Sequence, residues 1–259
     1  VEIVRPDTDP HFFEPAPSDI REMVEADWIL AGGLGFESYL DKLKDSVGPG
    51  PKFFVAGEHV PDPLGAGDGV CQEDHDHSEH EHHHGEWDPH WWHSVSTVRA
   101  VAAALAREWS AALPGEELAR RAAAFDRRLD ELDKWARIQI AGIPRERRIL
   151  VTSHDGLRYF ARDYSFRTLP VSGITTTEQP SSQKARETIA TIREAGVPVV
   201  FPTSTENPKV LGEITREAGV QTGHALHVDG LGGGEAVTFE SMFRHNVNAI
   251  VGGLRPSTP

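Results

Sequence analysis

The sequence predicts an α/β fold in two halves joined by one long helix, and two observations carry this prediction. Short apolar segments alternate with amphipathic segments, most regularly after residue 147, where four strand–helix units follow one another. Between the halves lies an uninterrupted helical pattern of more than twenty residues. We therefore expect two lobes, each a parallel sheet flanked by helices, connected by one rigid helix.

The first half alternates less regularly than the second. Short polar side chains at Ser18 or Asp19 are expected to cap a first helix by accepting hydrogen bonds from its unpaired amides. Three segments are predicted as strands and one more as a helix: strands at 1–4, 28–31 and 52–56, and a helix at 36–43. An alanine-rich helix at 94–112 closes this half. The predicted first lobe is residues 1–113.

The linking helix is the best-defined predicted element. Its apolar residues recur at alternating steps of four and three, at Leu118, Ala122, Phe125, Leu129, Leu132 and Ala136. Helix-breaking residues mark its ends, namely Pro114 before it and Gly142 and Pro144 after it. At 1.5 Å per residue such a helix spans roughly 35 Å, the length of a small domain. We predict a linking helix within residues 114–143.

The second lobe is predicted to occupy residues 144–259. Its expected strands and helices alternate, which is typical of a parallel sheet with helical crossovers. The strands are predicted at 148–152, 168–171, 198–201 and 221–226, and the helices from 157 and at 182–195, 208–218 and 238–254.

Residues 57–87 have no hydrophobic periodicity and are predicted to form a loop of biased composition. Six histidines lie within ten residues of it: His75, His77, His80, His82, His83 and His84. The stretch from His80 to His84 matches the HExxH pattern of zinc proteases, but that chemistry needs a helix with an apolar face. We interpret the histidines as an accessory loop that collects metal weakly, or as a solvated spacer.

Overall composition favours a cation as the ligand. Forty acidic residues face 26 lysines and arginines, a formal charge of −14, which argues against nucleic acid and against an anionic membrane surface as partners. The single cysteine, Cys71, cannot form an intrachain disulfide.

Four polar residues stand out as candidate metal ligands: His11, His90, His154 and Asp229. His11 and His90 both end an Asp-Pro-His segment, and His154 follows a predicted strand. Three imidazoles and one carboxylate suit zinc. Histidines in loops are more often solvated, and their spacing leaves that alternative open. No nucleophile motif is present, but a zinc hydrolase with three protein ligands and an open position is a second reading.

Five motifs resemble those of the cluster A-I metal-binding receptors of bacterial ABC importers, the ZnuA and TroA type. They occur in the same order as in that family, at residues 9–19 (DPHFFEPAPSD), 88–92 (DPHWW), 152–160 (TSHDGLRYF), 201–209 (FPTSTENPK) and 242–247 (MFRHNV). The resemblance implies a metal site in the cleft between the lobes, with ligands at His11, His90, His154 and Asp229.

The same resemblance implies a function. It predicts a monomeric zinc receptor, periplasmic or held as a lipoprotein on the outer face of the membrane, that delivers Zn²⁺ to a membrane permease and accepts it in some cases from a metallochaperone. Manganese members of the family tend to carry a carboxylate where this chain has His154, so the ligand set is similar to that of the zinc members. A manganese receptor of the same family is the alternative. The family's first strand–helix unit, expected before Asp9, is missing from this sequence, and residues 227–234 (HVDGLGGG) match the last ligand motif only fairly.

Overall fold

The computed structural model describes residues 1–5, 8–66, 86–113, 115–173, 182–204 and 208–256. The strands are β1 (Trp28–Ala31), β2 (Lys52–Val55), β3 (Ile149–Thr152), β4 (Arg167–Pro170), β5 (Val199–Val200) and β6 (Gln221–Thr222). The helices are α1 (Pro17–Val24), α2 (Leu40–Val47), α3 (Val95–Ala112), α4 (Glu116–Ala141), α5 (Arg158–Tyr164), α6 (Ser182–Glu194), α7 (Pro208–Ala218) and α8 (Phe239–Leu254). Within these ranges no helix has both the length and the apolar character that crossing a membrane requires.

In the first lobe β1 and β2 pair in parallel, and α1 and α2 pack through Met23, Leu43 and Val47. Helix α1 begins at Pro17, two or three residues earlier than a cap at Ser18 or Asp19 predicts. Its N-cap is Ala16, whose amide donates to the Asp19 carboxylate at 2.7 Å, so Asp19 acts from inside the first turn. The predicted strand at 1–4 is wrong, because that segment pairs with neither described strand of this lobe.

The second lobe contains the four predicted strand–helix units. Strands β3 and β4 are parallel, as are β5 and β6, and a parallel bridge between Thr152 and Phe201 connects the two pairs in the order β4–β3–β5–β6. The last two strands are shorter than predicted, although a second bridge joins Thr203 to Leu226. Parallel strands end at one edge of the sheet, so the loops that follow β3 and β6 lie at the same edge.

The long helix α4 is confirmed and has 26 residues. Its predicted apolar stripe faces the core, where Leu129, Leu132 and Ala136 are buried. Just past its C-terminal end, the Ile143 amide donates to the Ile140 carbonyl, and the Arg148 guanidinium donates to the carbonyls of Ile140 and Ile143.

Polar contacts and packing also join the two lobes directly. Tyr159, on α5 of the second lobe, is fully buried in the core of the first, beside Phe54 and Val101. Its hydroxyl accepts a hydrogen bond from the Leu64 amide at 2.9 Å and donates to the Asp88 carbonyl at 3.2 Å. Because these contacts are buried, the lobes hold a defined relative position.

Candidate metal centre

Four side chains from distant parts of the sequence meet between the lobes. The Nε2 atoms of His11, His90 and His154 lie 3.4, 3.3 and 2.9 Å from one oxygen, Oδ1 of Asp229. One donor atom from each of the four residues lies within 4.8 Å of the others. The sequence-predicted set is therefore brought together around a single point.

This cluster is shielded from solvent. The side chain of His11 is 5% exposed, and those of His90, His154 and Asp229 are 0% exposed. Removing an ion's water shell requires protein donors to replace it, and a carboxylate among three imidazoles provides both charge and nitrogen donors.

The repeated Asp-Pro-His segment forms the same local turn twice. Asp9 Oδ1 accepts a hydrogen bond from the His11 amide, and Asp88 Oδ1 accepts one from the His90 amide, both at 3.0 Å. Proline restricts the intervening backbone, and the short carboxylate closes the turn. The motif thus orients the histidine that ends it.

Asp88 also selects the tautomer of His90. The Nδ1–H of His90 donates to Asp88 Oδ1 at 2.8 Å, and both side chains are fully buried. When the ring is neutral, its proton on Nδ1 leaves the lone pair on Nε2, the atom that faces the other three residues.

The backbone that leads to Asp229 is held from two sides. From α8, Asn246 accepts a hydrogen bond from the His227 amide at 2.9 Å and donates to the His227 carbonyl at 2.7 Å. From the first lobe, Trp92 and His93 both donate to the carbonyl of Val228, the residue before Asp229.

Gly156 allows the site to close. A Cβ atom added at this position would lie 2.9 Å from Nε2 of His154 and 3.2 Å from Cδ2 of His90, and closer still to Val228. Any other residue would push ligand side chains apart, so this position needs glycine for space.

Burial and charge shift two pKa values at the site. Burial by itself would raise the pKa of Asp229, but the His154 ring and hydrogen bonds from the three histidines lower it well below its usual range. For His90, burial lowers the pKa, whereas hydrogen bonds to Asp229 and Asp88 raise it, and the net shift is upward. The two shifts therefore favour a negatively charged Asp229 beside a positively charged His90.

The six histidines of the predicted accessory loop, at positions 75, 77, 80, 82, 83 and 84, lie outside the described residues, as does Cys71. Within the described ranges, no group of three or more His, Cys, Asp or Glu side chains other than the cluster just described has metal-binding geometry. Sequence reasoning gave no role to Trp92, His93, Gly156 or Asn246. All of them lie in or directly after the five quoted motifs, and this position is the sequence feature that could have indicated their role.

Two α/β lobes, one long linking helix and a buried cluster of three imidazoles with one carboxylate define a class of protein, the solute-binding receptors for divalent metals. Comparison with known proteins identifies the family. Residues 1–253 match the family model of ZnuA, the periplasmic component A of a zinc-uptake complex, and the chain belongs to this family.

Two curated relatives match over nearly the whole chain. The iron-binding protein YfeA of Yersinia pestis is 31% identical over 97% of this chain and 78% of its own length. The manganese-binding lipoprotein MntA of Bacillus subtilis is 27% identical over 98% of this chain and 81% of its own length. A solved structure, the periplasmic zinc-binding protein TroA of Treponema pallidum, superposes with a TM-score of 0.85 at 27% identity, covering 97% of this chain and 89% of that one.

Family membership decides the enzyme question. Members are extracytoplasmic solute-binding receptors that work with the membrane permeases of ABC importers, and they are not enzymes. The alternative of a zinc hydrolase is therefore wrong. The sequence-based assignment to this family and to the outer side of the membrane is confirmed.

Proposed function

We propose that this chain binds Zn²⁺ with His11, His90, His154 and Asp229 and delivers it to the permease of an ABC importer. One observation carries the proposal, the convergence of three Nε2 atoms on one buried carboxylate oxygen. Donor atoms bound tetrahedrally to zinc at 2.0–2.1 Å lie about 3.3–3.4 Å apart. The distances from Asp229 Oδ1 to His11 and His90 have this length, and the one to His154 needs a small outward movement.

The donor atoms favour zinc over manganese. Imidazole nitrogen suits zinc, whereas manganese prefers carboxylate, carbonyl and water oxygens in six-coordinate sites. Three nitrogens and one carboxylate in a dry pocket supply few oxygen donors. Two relatives named for manganese and iron show that metal preference differs between similar proteins, so manganese is the second candidate.

X-ray absorption at the metal edge of the purified, metal-loaded protein tests this proposal. We expect zinc with about four nitrogen and oxygen neighbours near 2.0 Å and imidazole scattering from three rings. A site that takes manganese more tightly than zinc in competition, or a six-coordinate site dominated by oxygen, would contradict the zinc assignment. Retained zinc binding in Asp229→Ala would contradict the ligand set.

Zinc affinity should fall with decreasing pH, and the fall should begin above pH 6.5. The pKa of His90 in the metal-free protein is raised above its usual value, so zinc must displace a proton from this ring. Each pH unit below that pKa costs about tenfold in affinity for one displaced proton. In the metal-free protein the sign is opposite: protonation of His90 stabilises the fold at low pH, and this contribution is lost as pH rises through the raised pKa.

Calorimetry in buffers of different ionisation enthalpy measures this proton release. We expect zinc binding to release protons, with more released per zinc at pH 6.5 than at pH 7.5, and a weaker affinity at pH 6.5 than at pH 7.5. Equal affinity at both values, with no proton released, would show that zinc does not compete with protonation of His90.

Three further parts of the proposal rest on the sequence. The histidines at 75–84 are proposed to collect zinc for the main site or to accept it from a metallochaperone, the receptor is proposed to act as a monomer, and attachment as a lipoprotein is one proposed form. A protein lacking residues 74–85 should then load zinc more slowly from a chelated source, and an unchanged loading rate would remove the loop from the pathway.

A further inference from the structure

One carbonyl oxygen links the two lobes beside the metal centre. Nε1 of Trp92 donates to the Val228 carbonyl at 2.9 Å, and Nε2 of His93 donates to the same oxygen at 2.8 Å. Trp92 and His93 lie on the short 3-10 helix Trp91–His93, whereas Val228 lies in the second lobe, 135 residues from His93 in sequence. Two donors from one turn of the first lobe therefore share one carbonyl oxygen of the second lobe as their acceptor.

In each lobe, this contact lies next to a proposed ligand in the sequence. His90 immediately precedes the 3-10 helix, and Asp229 immediately follows Val228. A peptide group is planar, so fixing the direction of the Val228 carbonyl also fixes the amide of Asp229 and the direction from which its side chain leaves the backbone. In this arrangement Asp229 Oδ1 lies 3.3 Å from Nε2 of His90.

Both His93 and Val228 are 1% exposed, so water cannot replace the bond between them. Burial lowers the pKa of His93 to about 4, despite the hydrogen bond to Val228 that opposes the shift. The ring is therefore neutral at physiological pH and donates through Nε2–H.

We infer that His93, with Trp92, positions the Asp229 carboxylate for zinc by clamping the Val228 carbonyl across the lobe interface. The inference rests on the proposed function, because it assigns Asp229 as a ligand. The hydrogen bond of His93 goes to the backbone carbonyl of Val228, so His93 acts on Asp229 through the backbone, as a positioning residue.

Replacing the donor tests the clamp. His93→Leu removes the hydrogen bond and keeps similar bulk, whereas His93→Gln retains an N–H that can reach a carbonyl. We expect His93→Leu to weaken zinc binding about 10- to 100-fold, the usual effect of losing a group that orients a metal ligand, and His93→Gln to recover most of it. A fluorescent zinc chelator in competition gives both affinities.

A matched control has the same chemistry within one lobe. His245 donates from Nε2 to the Ala225 carbonyl at 2.9 Å, four residues before Asp229. We expect His245→Leu to change zinc affinity by less than about twofold, the usual limit of uncoupled effects. An equal loss in His245→Leu would overturn the inference, because any histidine–carbonyl bond nearby would then suffice.

A double-mutant cycle separates positioning from general packing. If His93 acts through Asp229, His93→Leu should weaken zinc by less than about twofold in an Asp229→Ala background. Equal losses in both backgrounds, or wild-type affinity in His93→Leu, overturn the inference alone. Unchanged zinc affinity in Asp229→Ala overturns the proposed ligand set and the inference with it. If His93→Leu does not fold, Trp92→Phe removes the other donor and takes its place in the cycle.

Discussion

Replacing His154 by alanine should weaken zinc binding by roughly 100- to 1,000-fold. Zinc sites of four ligands bind with about 10–16 kcal/mol, so each ligand accounts for roughly a quarter of it. His154 is fully buried and has the shortest distance to Asp229 Oδ1, 2.9 Å. Its loss leaves three protein donors, with water in place of an imidazole as the fourth ligand. Competition with a chelator of known affinity measures the change.

The comparison variant lacks residues 74–85, which carry all six clustered histidines. The free energy of closing a loop changes by about 0.6 kcal/mol for each doubling of its length. Shortening this predicted loop should therefore change the equilibrium zinc affinity by less than about threefold. A deletion that costs more affinity than His154→Ala would move the main site to the histidine-rich stretch. Circular dichroism of both variants confirms that the fold is kept.

Replacing Gly156 by alanine should also weaken zinc binding, by about 5- to 150-fold. The added methyl group meets Val228 and approaches Nε2 of His154 to 2.9 Å, so the ligand loop must shift. Overpacking of this kind costs about 1–3 kcal/mol, and here the strain falls on the metal-bound arrangement. Isothermal titration with zinc measures the loss, and thermal unfolding of the metal-free protein separates it from global destabilisation.

Gly230 provides the matched glycine. It follows Asp229 directly, yet a Cβ atom added there has no neighbour within 4 Å. Gly230→Ala should therefore retain zinc affinity within about twofold. If both variants bind zinc as tightly as the original chain, contact at Gly156 does not control the site. If both lose affinity equally, backbone flexibility near the ligands is the cause, and the steric explanation for Gly156 is wrong.

Much of the architecture was predictable because it depends on local patterns. The apolar stripe of α4 and the strand–helix alternation of the second lobe follow from side-chain periodicities of about 3.6 and 2 residues. The predictions were weakest where pairing partners decide structure. The segment 1–4 has strand-like alternation but no strand partner in the described part of its lobe, and β6 ends at Thr222 because only two of its residues pair with β5.

Within the candidate site, residue type and motif were sufficient to nominate His11, His90, His154 and Asp229, since few side chains suit zinc and two of the four share one turn motif. Distances between them depend on how the lobes pack, and sequence spacing carries no information on that. Only the tertiary structure revealed that three imidazoles surround one oxygen of Asp229. It also revealed that Gly156 provides the space and that Trp92 and His93 hold the Val228 carbonyl, because these contacts join residues far apart in the chain.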